Sequence, residues 1–329
     1  MAGILLIVLG GLLLLLMLRV WRRTRGLSKR RWRALHWIGS GSLLLAAMVA
    51  LLAGGTLYWY YHRPLPSEIQ ATLFQGITYT REVRDDPRPL VIHVVTIDLN
   101  APGIEFLVTP GEPTEGRQLC SRKTSGFLEE FDLQVAINGD FFTPWWTNSP
   151  WDYYPHVGDP VDVFGFASSE GEIYSQGREE SSRTLYISRD NRASFSTPPD
   201  EVYNAISGNT FVVLEGEIQH SLFTNEYQKV PNPRTAVALD QDADTLILIV
   251  VDGRQPNYSE GVGLAELGKI ALDYGAYTAL NMDGGGSSTL MIEDNSGDPD
   301  ILNSPIDNRI PGRERPVANH LGVRALRMK

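Results

Sequence analysis

The stretch NMDGGGSST, Asn281 to Thr289, sets an amide and a carboxylate at the end of an apolar run and follows them with three glycines. Glycine lets the backbone approach a ligand with no Cβ in the way, and successive amides in such a turn can hold an anion. Asp283 is therefore the first candidate for a reactive carboxylate, beside Asn281, with Gly284, Gly285, Gly286 and Ser287 as anion-binding neighbours. A tight turn between two strands would need the same glycines; the carboxylate directly before them is what favours a site. Asn138-Gly139-Asp140-Phe141-Phe142 is a second polar cluster at the end of an apolar run, and taken alone it reads as a turn. The stretch after it is rich in aromatics (Trp145, Trp146, Trp151, Tyr153, Tyr154). Aromatic faces beside carboxylates suit sugar rings, although burial or membrane contact would explain them equally well.

A third group is basic: Arg234, then Asp252 and Arg254, then Arg313, Arg315 and Asn319. A guanidinium offers a planar fork that grips phosphate in two places. In an acidic domain each such arginine is by default a surface ion pair of little energetic weight. Asp240, Asp242 and Asp244 resemble the start of a calcium loop, but Thr245 and Val251 stand where that loop needs Gly and Glu. The histidines lack metal-ligand spacing, and neither a G-x-S-x-G nor a Walker-type loop is present. Cys120, the only cysteine, has no partner for an intramolecular disulfide and suits a buried apolar thiol.

The elements that must position these groups are mostly strands. Leu90–Leu99 is rich in β-branched residues and ends at a turn. Gln134–Ile137 runs into Asn138. Phe211–Leu214 and Glu217–Gln219 flank a Glu-Gly hairpin turn, and Ala236–Leu239 with Thr245–Val251 predicts a second hairpin. Helices are predicted over Ser121–Phe131 and Leu264–Tyr274, the latter from apolar residues at helical spacing and a stop at Gly275. Ala276–Met282 follows as a strand, so Thr245 to Met282 reads as a βαβ-like unit. The predicted fold class is mixed α/β (α+β): a strand-rich single domain preceded by a two-helix transmembrane hairpin.

The hairpin reading comes from residues 1–61. Uncharged apolar runs cover about residues 2–18 and 38–61, and each is long enough for an apolar layer about 30 Å thick. Between them lie eight Lys/Arg and no acid. A short loop this basic belongs in the cytoplasm, with both chain ends on the other side. Trp21, Trp32 and Trp37 beside the loop, and Tyr58 to Tyr61 at the far end, suit the membrane interfaces. The expected organisation is the hairpin over 1–61, a linker over 62–74 and one non-cytoplasmic domain over 75–329. Beyond the hairpin remain 21 basic and 39 acidic residues, a net charge near −18. That excludes a nucleic-acid partner, which needs a positive surface, and leaves room for one local basic pocket.

Taken in order, Asn138-Gly-Asp-Phe-Phe142, Arg234-Thr235, Val251-Asp-Gly-Arg254, Glu266-Leu267, the Asn281–Ser288 segment and Arg315-Pro-Val-Ala-Asn319 resemble the phosphodiester glycosidase family over roughly residues 75 to 326. Two departures stand out. Asp140 and Phe141 occupy positions where the family usually has Gly followed by Tyr or Thr, and the disulfides of its animal members are absent. The resemblance implies hydrolysis of a sugar-1-phosphodiester between the anomeric carbon and the phosphate oxygen. It nominates Asp283 first, Glu266 second and Asp140 third as the catalytic carboxylate, with Arg234 and Arg315 on the phosphate. Amides around Gly284 to Ser287 would assist, Asn138 and Asn281 would orient sugar hydroxyls, and Asp252, Arg254 and Asn319 would complete the binding set. No cofactor is expected, a divalent metal stays open, and the implied partners are a sugar-phosphate or envelope glycan and the lipid bilayer. Two competing readings are a non-catalytic envelope module that binds polysaccharide or protein, and a metal-dependent phosphodiesterase.

Overall fold

The computed structural model describes residues 2–24, 30–149, 152–177, 183–195, 197–199 and 201–328. Trp151, Arg25 and Lys29 lie outside the described residues, as do the side chains of Arg23, Arg30, Arg31, Trp32 and Arg33. The chain forms two compact units, residues 1–64 with 256–258, and residues 65–255 with 259–329.

In the first unit two helices, Ala2–Thr24 and Arg30–Tyr61, each contain an apolar stretch long enough to cross a membrane by length and composition. Both extend past the apolar runs into the basic segment, because Arg and Lys are good helix formers. The helices pack antiparallel. A Cβ on Gly3 would approach the Tyr58 amide nitrogen to 2.9 Å, and one on Gly10 would meet Leu51. Small residues at such a seam let the two backbones close up.

The second unit is built from several antiparallel sheets. The largest has eight strands in the order Ile69–Phe74, Ile77–Arg84, Leu90–Asp98, Thr245–Val251, Arg234–Leu239, Thr278–Asn281, Thr210–Leu214 and Glu217–Ile218, every neighbouring pair antiparallel. Ile69–Phe74 falls in the segment expected to be a linker, so the folded unit starts ahead of residue 75. The central strands are buried on both faces, which explains their unbroken apolar runs. Val95, Ile97, Leu246, Leu248 and Val250 pack on one side, whereas Ile92, Val94, Ile247, Ile249 and Val251 pack on the other.

Helix Leu264–Asp273 covers the second face with Leu264, Leu267, Ile270 and Ala271. The expected βαβ-like unit is split. Arg234–Leu239 lies between Thr245–Val251 and Thr278–Asn281 and pairs antiparallel with both, so the flanking strands run parallel without touching. The tight hairpin through Asp240, whose Oδ1 accepts the amides of Asp244 and Thr245, brings that strand in.

The first face packs on a five-stranded sheet in the order Pro299–Ile301, Leu290–Glu293, Val135–Asn138, His320–Arg324 and Glu105–Val108. A second five-stranded sheet contributes Leu185, Ile187 and Ile206 to the same core. Helix Thr124–Glu130 seals the far side of the first of these sheets through Phe127 and Leu128. Asn138 ends its strand opposite His320, while Asn281 ends its strand opposite Ala236. The polar ends of strands from two sheets therefore meet, and the candidate site lies there.

Candidate active site

Asp283 leaves its strand at this junction and is fixed from both sides. Its N–H donates to the Gly139 carbonyl at 3.1 Å, and its own carbonyl accepts from Asn138 Nδ2 at 2.7 Å. Its Oδ1 accepts the Gly284 amide at 2.9 Å. Burial pushes the Asp283 carboxyl above its ordinary range, while a hydrogen bond from the Ser287 hydroxyl and the charges of Arg315 and Arg254 pull it back.

The three glycines each meet a neighbour that leaves no room for a side chain. A Cβ on Gly284 would come within 2.9 Å of the Pro233 carbonyl oxygen. Gly285 has a φ of +66°, and its Cβ would stand 2.9 Å from an Arg254 Nη. A Cβ on Gly286 would fall on the Arg315 guanidinium. The two guanidiniums thus lie over consecutive glycines, at a separation that only bare backbone permits.

Arg315 is held through two of its nitrogens and one face. Its Nε donates to Asp307 Oδ1 at 2.8 Å and its Nη1 to Ser287 Oγ at 3.3 Å. Its Cζ lies 4.6 Å from the centroid of Trp145. Arg254, itself in the left-handed region at φ 58°, donates from Nε to Asn232 Oδ1 at 3.0 Å. Burial lowers the Arg254 pKa, and the nearby charges of Arg315 and Arg309 act in the same direction. Paired cations of this kind call for an anion between them.

These groups line one cavity of about 280 Å³, whose walls include Phe141, Phe142, Trp145, Arg254, Asp283, Gly284, Gly285, Gly286 and Arg315. It joins a carboxylate, two guanidiniums and three aromatic rings, a combination suited to an anionic sugar derivative. Among the described residues no group of three or more His, Cys, Asp or Glu side chains is arranged to hold a metal ion.

Other residues singled out in the sequence lie behind this wall. Asn138 is spent on the frame: its Oδ1 accepts from Thr235 Oγ1 and the Thr289 amide, so it orients Asp283 rather than a sugar hydroxyl. Asn281 is buried, with Nδ2 on Asn209. Asn319 accepts the Asp140 amide at 2.8 Å and donates to the Tyr174 hydroxyl at 3.2 Å. Asp252 is buried, bonded to Asn303, to the Ser304 amide and to His93, and His93 reaches Tyr79 at 2.8 Å. Since Asn303 Nδ2 also donates to the Ser288 carbonyl, Asp252 ties the Arg254 turn to the glycine-rich turn. Ser287 joins Asp283 to Arg315.

Asp140 is buried behind Asp283. Its Oδ1 accepts the Ser207 amide at 2.7 Å and its Oδ2 has no hydrogen-bond partner. Burial raises its pKa well above the ordinary range, and the charge of Asp283 adds to the rise.

Two expected assignments are not met by the geometry. Glu266 does not line the cavity. Its Oε2 accepts the Gly263 amide at 2.9 Å, closing the helix N-terminus, and pairs with Arg88 at 2.6 Å. Arg234 also stays out of the cavity wall, because its guanidinium donates to the carbonyls of Val262 and Val230. Burial and Arg254 bring its pKa down to about 10. The arginine pair at the pocket is Arg254 with Arg315. Asp307 was not visible in the sequence, having no motif and a partner eight residues away across an irregular turn.

A model of the phosphodiester glycosidase family matches residues 131–324. No curated protein sequence matches the chain. Among solved structures, the catalytic domain of zebrafish N-acetylglucosamine-1-phosphodiester alpha-N-acetylglucosaminidase, auto-inhibited by its pro-peptide, is 21% identical with a TM-score of 0.55, covering 82% of this chain and 86% of that one. A hypothetical protein from Synechocystis is 16% identical with a TM-score of 0.53, covering 79% of this chain and 64% of that one. At these identities the structural likeness is one of fold.

Proposed function

The chain belongs to the phosphodiester glycosidase family, and on that premise we propose that it hydrolyses the bond between the anomeric carbon and the phosphate oxygen of a sugar-1-phosphodiester. The observation that carries this reading is the meeting of Asp283, Arg254 and Arg315 in one aromatic-walled cavity. Arg254 and Arg315 take the non-bridging oxygens of the phosphodiester. Asp283 faces the anomeric carbon, where its carboxylate stabilises positive charge as the bond to phosphate lengthens. Water adds to the anomeric carbon, the carbon–oxygen bond breaks, and the phosphate monoester leaves with the electron pair. The water's proton passes to Asp283, whose raised pKa suits a base. Asp140, buried and linked to Asp283 through charge, has its carboxyl held well above the ordinary range by that burial. Phosphate is a good leaving group, so no further acid is required. The Gly284–Ser287 turn keeps both arginines at the distance the anion needs.

The two N-terminal helices anchor the protein in a membrane, with the basic segment in the cytoplasm and the folded domain outside. Protease added to intact cells should remove the domain; digestion only in inverted vesicles would reverse this orientation.

The printed activity of the zebrafish relative suggests where a substrate panel begins. The purified 329-residue chain and its Asp283→Asn variant are incubated with sugar-1-phosphodiesters, including N-acetylglucosamine-1-phosphate diesters and UDP-N-acetylglucosamine. Free sugar is expected from the parent and not from the variant. If a folded parent releases none, a binding role for the same pocket replaces the hydrolase reading.

A further inference from the structure

The contacts along the pocket form an ordered line. Asp283 takes a hydrogen bond from Ser287, Ser287 accepts one from Arg315 at 3.3 Å, and the Arg315 guanidinium sits 4.6 Å from the Trp145 ring. Phe141 and Phe142 line the cavity as well. Trp145 lines the same cavity at the opposite end of this line and is 47% exposed. A phosphodiester with its anomeric carbon at Asp283 and its phosphate on Arg315 carries its second ester group onto the indole. The guanidinium packed over the ring already fixes its orientation, so a ligand that packs on the indole surface left exposed orders little that is not ordered beforehand.

We propose that Trp145 determines specificity for the group beyond the phosphate, and that this group is a ring with an apolar face joined close to the phosphate, a second sugar or a nucleoside. The inference rests on the hydrolase reading for its orientation. A sugar presents a face of C–H bonds and a nucleobase a π-face, and an indole packs against either. A short alkyl ester would leave the indole exposed to water.

The test compares three N-acetylglucosamine-1-phosphate diesters, whose second ester group is methyl, hexos-6-yl or uridin-5′-yl, with the parent chain and with Trp145→Ala and Trp145→Phe. The parent is expected to favour at least one ring-bearing diester over the methyl diester by about tenfold in kcat/KM. Trp145→Ala should abolish that ratio and Trp145→Phe should keep most of it. The favoured arm identifies the ring as sugar or nucleoside. No preference in the parent, or an equal loss on all three diesters in Trp145→Ala, would mean that the indole merely props Arg315, and the proposal falls. If the parent cleaves none of the diesters, calorimetric titration with the same three separates the two readings. Tighter binding of a ring-bearing diester that disappears in Trp145→Ala keeps the subsite while the hydrolase reading falls, and equal binding overturns the subsite as well.

Discussion

Arg315 and Asp307 hold one another beneath the pocket floor, with Nε 2.8 Å from Oδ1 and only 9% and 1% of the two residues exposed. Asp307 Oδ2 has no hydrogen-bond partner and faces Arg313 Nε at 3.5 Å. The carboxylate therefore relies on charge, and it sets where the Arg315 fork points. Asp307→Asn keeps the shape and removes that charge, and breaking a buried pair in this way costs about 3 kcal/mol. We expect a lower unfolding midpoint together with a raised KM for the phosphodiester, the second effect exceeding any fall in kcat. Chemical denaturation and steady-state kinetics measure the two. An unchanged KM would show that Asp307 does not place Arg315.

Gly286 tests the same placement from the other side. A Cβ there would meet the Arg315 guanidinium and lie 3.0 Å from Asp307 Oδ1. The Gly286 backbone lies outside the left-handed region, so Gly286→Ala acts through the clash of its Cβ with Arg315 and Asp307 rather than through backbone strain. A displacement near 1 Å can cost about a hundredfold in rate. We expect a loss of that order in kcat/KM together with a lower unfolding midpoint, because the same shift loosens the buried Arg315–Asp307 pair. Full activity would mean that Arg315 does not touch the reacting substrate.

What the sequence disclosed follows from how local each signal is. The Asp283 turn was legible because its glycines and hydroxyls are contiguous, and strands such as Leu90–Asp98 were legible because burial on both faces demands an unbroken apolar run. The split of the βαβ-like unit was hidden, since strand order depends on pairings between distant segments. Arg234 and Arg254 look equivalent in sequence. Only the fold turns one onto the carbonyls of Val230 and Val262 and the other over Gly285. Helical spacing placed Glu266 correctly on a helix but could not show Arg88 arriving from 178 residues away. Asp307 gave no signal, because its meeting with Arg315 runs through Asn308 and Arg309, both at positive φ.

Glu266 can be separated from Asp283 experimentally. Its Oε2 caps the Gly263 amide and pairs with Arg88 at a part-exposed surface, a contribution of about 0.5–1 kcal/mol. Glu266→Gln should lower the unfolding free energy by about that amount and leave kcat unchanged. A collapse of kcat with the fold intact would return Glu266 to the chemistry and remove Asp283 from its sole position there.

Asp140 makes a prediction about pH. Its pKa in the fold lies well above the ordinary 3.8, because burial disfavours the ion more than hydrogen bonding from Ser207 and Asn319 favours it, and the charge of Asp283 adds to the rise. In the unfolded chain the group ionises near its ordinary value, so between that value and the raised one the folded state binds the extra proton. Stability from this residue is therefore complete at pH values below 3.8 and is lost as pH rises toward the folded pKa. Asp140→Asn keeps a carbonyl for the Ser207 amide and cannot ionise. We expect the variant to match the parent in acid and to become the more stable of the two as pH rises, a difference read from denaturation curves across the pH range. A constant difference at every pH would mean that Asp140 titrates normally in the fold and that Asp283 has an ionised carboxylate behind it.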